Sequence, residues 1–84
     1  MYDYQIEDVA QEQLLRLPYE AVVDFVDTVA LICIDPWNFQ REPDEPLDDH
    51  HAHRTASFGT DGMLTFLILE HAAEVHVTRI VWLG

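Results

Sequence analysis

The chain of 84 residues contains no lysine, and its only fixed cations are Arg16, Arg41, Arg54 and Arg79. Against these four stand 16 Asp and Glu, for a formal net charge of -12. That charge on so small a body repels phosphate backbones and anionic membranes. Direct nucleic-acid binding is therefore not expected, because each phosphate contact ordinarily takes one cation. Cysteine is nearly absent as well. Cys33 stands alone, which excludes an internal disulfide and suits a reducing compartment. Long apolar runs are also missing, the longest being Val29 to Ile34, where a membrane span requires about 20 apolar residues. Met1 to Asp8 has neither the basic n-region nor the apolar h-region of a signal peptide. These absences predict a cytoplasmic protein with no membrane contact, and no cofactor motif is present.

What the chain does contain excludes an acidic disordered tail. Apolar residues make up 49% of it, among them two Trp, three Tyr and four Phe. Its length predicts one domain over residues 1–84, with a stability of only a few kcal/mol because small domains bury a modest share of their surface.

Periodicity divides the chain into elements. Tyr2, Tyr4 and Ile6 alternate with polar residues, which reads as a short first strand. Ile6, Ala10, Leu14 and Leu17 then form one helical stripe, with acids in the first turn where the helix dipole favours them. Leu17-Pro18 breaks that helix, and Pro18 is suited to open the next. From Tyr19 to Cys33, Val22, Phe25, Val26, Val29, Ile32 and Cys33 recur at three- and four-residue spacing, a stripe wide enough to cover a sheet. Asp35-Pro36 ends it, since a residue before proline is pushed out of helical geometry.

Residues 36–49 lack a pattern and hold Pro36, Pro43, Pro46 and five acids, so they read as a loop. Trp37 and Phe39 either pin its start to the core or form an exposed docking patch for a partner. His51 to Phe58 alternates loosely, and Gly59-Thr60-Asp61-Gly62 supplies the turn of a hairpin. Met63 to Leu69 is nearly all apolar, as a central strand buried on both faces would be. Val75 to Leu83 reads as the last strand. The order β-α-α-β-β-β predicts an α+β domain, two helices packed on an antiparallel sheet.

Several residues invite a functional reading. Asp48-Asp49-His50-His51-Ala52-His53 is the one cluster with metal-ligand character, and His51 and His53 share a strand face. A solvated, pH-sensitive face is the plainer account, and no metal is predicted. Asp48-Asp49 resembles an acid–base pair only in composition, lying in a proline-rich loop. Cys33, on an apolar stripe without a flanking base, reads as a buried small hydrophobe. Ile80 and Trp82 fall on one face of the last strand with His76 and Thr78. They either pack into the core or leave an apolar edge for a partner strand or a homodimer.

The order of elements, with Leu17-Pro18 between the helices, Asp35-Pro36 after the second and Pro46-Leu47 before the hairpin, resembles the RelE/ParE superfamily of toxins from type II toxin–antitoxin systems. Gly62 to Ile68 is similar to that superfamily's apolar central strand, and Val75 to Trp82 to its last strand. The resemblance implies an antitoxin partner and, in many members, cleavage of messenger RNA on the ribosome. Such cleavage by a 2′-hydroxyl requires a base, an acid and cations for the phosphorane. Here Met63 stands where an arginine usually opens the central strand. Trp82-Leu83-Gly84 ends the chain where the superfamily places a catalytic His, Tyr or basic residue. Only Arg54 and Arg79 remain as anion-binding candidates on the strands, and with acids in such excess an ion pair with a neighbouring carboxylate is the plainer account of each.

Two function classes follow. One is a toxin-like protein whose mRNA cleavage is weak or lost and which acts through an antitoxin-like partner. The other is a non-enzymatic acidic module that docks a basic protein partner.

Overall fold

A computed structural model describes residues 1–41 and 52–84. The readings made for Pro43, Pro46-Leu47, Asp48-Asp49, His50 and His51 lie outside those residues. The described elements are β1 (Asp3–Ile6), α1 (Asp8–Leu15), α2 (Tyr19–Ile34), a 3-10 turn at Pro36–Asn38, β2 (Gln40–Arg41), β3 (Ala52–Phe58), β4 (Gly62–Leu69), a 3-10 turn at Glu70–Ala72 and β5 (Glu74–Trp82).

Local chemistry sets the boundaries. Pro18 stands at the N-cap of α2 in extended backbone, its missing N–H costing nothing there. Asp35, ahead of Pro36, leaves helical geometry at φ -154° and stops the helix. At the β3–β4 turn Gly59 has φ +60°, and any Cβ there would press on the Asp24 carboxylate. Gly62 lies opposite Phe58 in register, and the phenyl ring occupies the space a side chain would need.

The sheet runs β1-β5-β4-β3-β2. The expected α+β order holds, with the two-residue β2 added where a loop was predicted. One part of the expectation is corrected. The sheet is mixed rather than antiparallel, because β1 pairs β5 in parallel while the other neighbours pair antiparallel. Two helices intervene between β1 and the hairpin strands, and a crossover of that length lets a strand return in parallel.

Between β4 and β5 the register slips. Thr65 pairs Arg79 and Phe66 pairs Val77, so Thr78 is left over as a β-bulge. The Thr78 hydroxyl donates to the Thr65 carbonyl at 3.2 Å, which keeps a backbone acceptor satisfied beside the disrupted ladder. The bulge turns Val75, Val77 and Ile80 all toward the helices.

There they join Leu64, Phe66 and Ile68 of β4, Ala56 and Phe58 of β3, Ala10 of α1, and Ala21, Phe25, Val29, Ile32 and Cys33 of α2. Two edge-to-face aromatic pairs lock the layers, Phe25–Phe58 at 5.6 Å and Phe39–Phe66 at 5.8 Å between ring centroids. Where β1 ends, Gln13 of α1 takes over the edge of β5, its Oε1 accepting from the Ile80 N–H at 2.7 Å. Val26 departs from the predicted stripe and is 56% exposed. None of the described helices is long and apolar enough to cross a membrane.

Phe66 is fully buried and paired with Phe39. Phe66→Ala is therefore expected to cost about 3–5 kcal/mol, most of the stability of a domain this small. Leu15→Ala, on an exposed face of α1, should stay within about 0.5 kcal/mol. Urea unfolding followed by circular dichroism reads both.

Candidate functional site

The sheet has a face under the helices and an outer face, and cross-strand register assigns each strand residue to one of them, since directly paired residues share a face. On the outer face, Arg79, Thr65, Thr55 and Gln40 form one row across β5, β4, β3 and β2. A second row runs Gln5, His76, Leu67 and His53. A third holds Val81, Met63 and Ser57. Met63 is half-exposed there, so the position where the resemblance would put an arginine carries a thioether.

Arg54 belongs to the other face. It pairs Phe66, whose ring is in the core, and its guanidinium carbon lies 5.1 Å from the centroid of the Trp37 ring. Its Nη1 also donates to the His53 carbonyl at 3.1 Å. The two anion-binding candidates, Arg54 and Arg79, thus do not share a site: the sheet lies between them. Arg79 is exposed, and the ion pair offered as its plain explanation is not formed with any described residue.

His76 is the titratable group nearest to a constellation on the outer face. Its Nε2 lies 3.4 Å from Glu74 Oε1 and its Nδ1 3.9 Å from Glu7 Oε1. Gln5 Nε2 donates to Glu74 at 3.3 Å in the same group. A histidine held between two carboxylates can hold and pass a proton. The same carboxylates would repel an incoming phosphate. The outer face therefore combines the imidazoles of His53 and His76, threonine hydroxyls and one guanidinium. It can bind one anionic group; it has no second described cation to stabilise a phosphorane.

The four residues singled out for partner binding do not form one surface. Ile80 is 4% exposed, and the face it was expected to share with His76 is corrected by the bulge at Thr78. Phe39 packs on Phe66. Trp82 is 37% exposed at the end of β5, beside Pro18, Glu20, Asp24 and Asp61. Trp37 is partly exposed, but its ring carries Arg54 and its Nε1–H donates to Glu70 Oε2 at 2.5 Å. The Tyr2 hydroxyl donates to the same oxygen at 2.6 Å. These bonds hold the Glu70 carboxyl below its ordinary range and push the Tyr2 hydroxyl above its own.

Cys33 is buried as predicted, and burial raises its thiol pKa, the opposite of an activated nucleophile. His53 lies on the outer face, and no cluster of three or more metal-ligating side chains occurs among the described residues. Sequence reasoning missed Thr55, Thr65 and the Tyr2–Trp37–Glu70 cluster. Its members are distant in sequence, and only tertiary contact joins them.

No protein-family model matches the sequence, and no curated protein matches it. Solved structures do match. The isolated E. coli RelE toxin aligns with a TM-score of 0.82 at 9% identity, over 100% of this chain and 86% of that one. The archaeal RelE–RelB complex from Pyrococcus horikoshii aligns at 0.79 and 15% identity, over 99% of this chain and 96% of that one. The intact E. coli RelBE toxin–antitoxin complex aligns at 0.75 and 10% identity, over 100% and 99%. The fold is RelE-like, an α+β arrangement of two helices on a mixed sheet, and identities this low speak to the fold alone.

A pH dependence follows from the Glu70 contacts. A carboxyl whose folded pKa is depressed stabilises the protein above its unfolded pKa of about 4.3, and that contribution disappears as pH falls through the lower folded value. Trp37 fluorescence in a Trp82→Phe background is expected to change with a midpoint below about 4.3. Glu70→Gln should remove that transition while leaving the rest of the acid titration in place.

Proposed function

We propose that this RelE-like chain works as a single domain that binds another protein, with an antitoxin-like segment as the partner class, and that its capacity to cleave mRNA on the ribosome is weak or lost. The observation carrying this reading is the division of the arginines. Arg79 alone of the described arginines stands on the outer face, and Arg54 is on the other side of the sheet beneath Trp37. A single guanidinium on a face that also carries Glu7 and Glu74 is poorly suited to grip an RNA strand, whose binding takes roughly one cation per phosphate contact. Solved RelE structures include complexes with RelB, and that supports a protein partner for a chain of the same fold. A cytoplasmic location fits both the lone buried thiol and the absence of a long apolar helix among the described residues.

The second reading, an acidic module that docks a basic protein without catalysis, is favoured by the net charge of -12. It predicts fast association that weakens as salt rises. A homodimer is disfavoured by the same charge, since each copy repels the other.

Ribosomes programmed with a defined mRNA, incubated with excess purified protein and analysed by primer extension, are expected to show no cuts above the protein-free control. Arg79→Ala should give the same pattern as the wild type. Codon-specific cuts that vanish in Arg79→Ala would overturn the proposal and make Arg79 part of a working nuclease site.

A further inference from the structure

Away from the outer face, a groove of about 510 Å³ runs between β1 and α2. Met1, Tyr4, Leu14, Val26, Ala30 and Ile34 supply most of its apolar lining. Four of these, Met1, Tyr4, Val26 and Ile34, are more than half exposed, with Val26 and Ile34 at 56% and 62%. On α2 the residues Tyr19, Val23, Val26, Ala30 and Ile34 recur at three- and four-residue spacing, so the exposed apolar stripe continues along one side of the helix. A helix in a chain this acidic has no solubility reason to keep such a stripe in water.

The edge of the groove is also unfinished. β1 pairs only β5, and the Asp3 and Glu7 N–H groups donate to the Ala73 and Val77 carbonyls. Alternation along the strand then turns the Tyr4 N–H and C=O outward. On either side the edge is closed: the Tyr2 N–H donates to the Cys33 carbonyl, and the Ile6 carbonyl accepts from Gln11 Nε2. Between these two closures the outward backbone groups run from the Tyr2 carbonyl to the Ile6 N–H, with the Tyr4 pair at their centre, directly beside the apolar lining.

We propose that the groove between β1 and α2 receives an extended segment of a partner protein that alternates apolar and basic residues, its backbone pairing at Tyr4 and its apolar side chains lying on Val26, Ala30 and Ile34. Charge selects this occupant. Asp3 lines the groove, Asp35 follows Ile34 at its end, and Asp27 is exposed on α2 beside Val26. No arginine with a described side chain lines it. A second copy would bring its own -12 to this rim, whereas a cationic segment is attracted to it. Strand addition would supply the backbone bonds and the groove the side-chain selectivity. The inference rests on the protein-binding reading above and narrows it to one surface and one partner chemistry.

The test is a titration of the isotope-labelled full chain, followed by amide NMR shifts, with a synthetic peptide alternating Lys and Val and with its Glu–Val analogue. Shifts concentrated at Tyr4, Val26, Ala30 and Ile34 with the Lys–Val peptide, and none with Glu–Val, are the expected result. Affinity should fall at least about tenfold in Val26→Lys/Ile34→Lys, both exposed positions, and stay unchanged in Val9→Lys on the outside of α1. Equal binding of the Glu–Val peptide would overturn the charge argument. Shifts confined to another surface would overturn the groove yet leave protein binding standing. Absence of binding, or concentration-dependent self-association through these four residues, would overturn the proposed occupant. The mRNA cleavage assay is independent of all these outcomes, so a failed groove and a failed reading of the fold's activity are told apart.

Discussion

One extra residue in β5 fixes which side chains this protein presents. Strict alternation would place Val75, Val77 and Arg79 on one face and His76, Thr78 and Ile80 on the other. The bulge at Thr78 resets the count, so Ile80 follows Val75 and Val77 into the core and Arg79 turns outward beside Thr65. Without it, either a guanidinium would enter an apolar core or the helices would lose Ile80, and each would cost more than a domain of this size can spare. The Thr78 hydroxyl makes the irregularity cheap by bonding the Thr65 carbonyl. The candidate site and the core thus depend on the same local slip.

That slip also marks the limit of what the sequence could disclose. α2 was legible almost to its last residue because Pro18 and Asp35-Pro36 bracket a strong apolar period. The central strand was legible because Met63 to Leu69 is apolar on both faces, and Gly59 and Gly62 marked the hairpin. Face assignment along β5 was not. A bulge with Thr at the extra position leaves no mark in composition, and the sequence alone counts every residue as one step of alternation. The same difficulty hid the separation of Arg54 from Arg79, which only the pairings with Phe66 and Thr65 reveal. The parallel pairing of β1 is a fact of topology that four residues of pattern do not carry. Val26 was misassigned for a different reason. The apolar stripe on α2 is wider than the sheet beneath it, and its excess looks onto the groove.

The acidic balance takes on meaning from where the few cations are. Arg54 lies under the Trp37 ring, in a contact that also ties the turn after α2 to β3. Trp37 in turn shares Glu70 with Tyr2, so β1, the turn after α2 and the turn after β4 meet at one carboxylate. At this end of the sheet the charged groups serve the fold. On the outer face the carboxylates Glu7 and Glu74 flank the imidazole of His76. These carboxylates repel any phosphate that approaches this face. Arg79 is the one described cation on that face, and it offsets at most one such charge.

The fold does not depend on cations of the outer face, and that independence has a structural cause. The core is made by apolar residues from both helices and three strands, together with two aromatic pairs; no outer-face arginine contributes to it. Arg79 forms no ion pair with a described residue, and Met63 sits half in water. Side chains at such positions change stability by only about half a kcal/mol when replaced. The outer face can therefore be cationic or nearly neutral on the same frame without disturbing it, which is how a RelE-like fold and a net charge of -12 coexist. The helical side has no such freedom. Its exposed stripe from Val23 to Ile34 borders residues of the core itself, Phe25, Val29 and Cys33. Apolar residues kept exposed next to the core, in a chain otherwise coated with carboxylates, call for an explanation from binding rather than from folding.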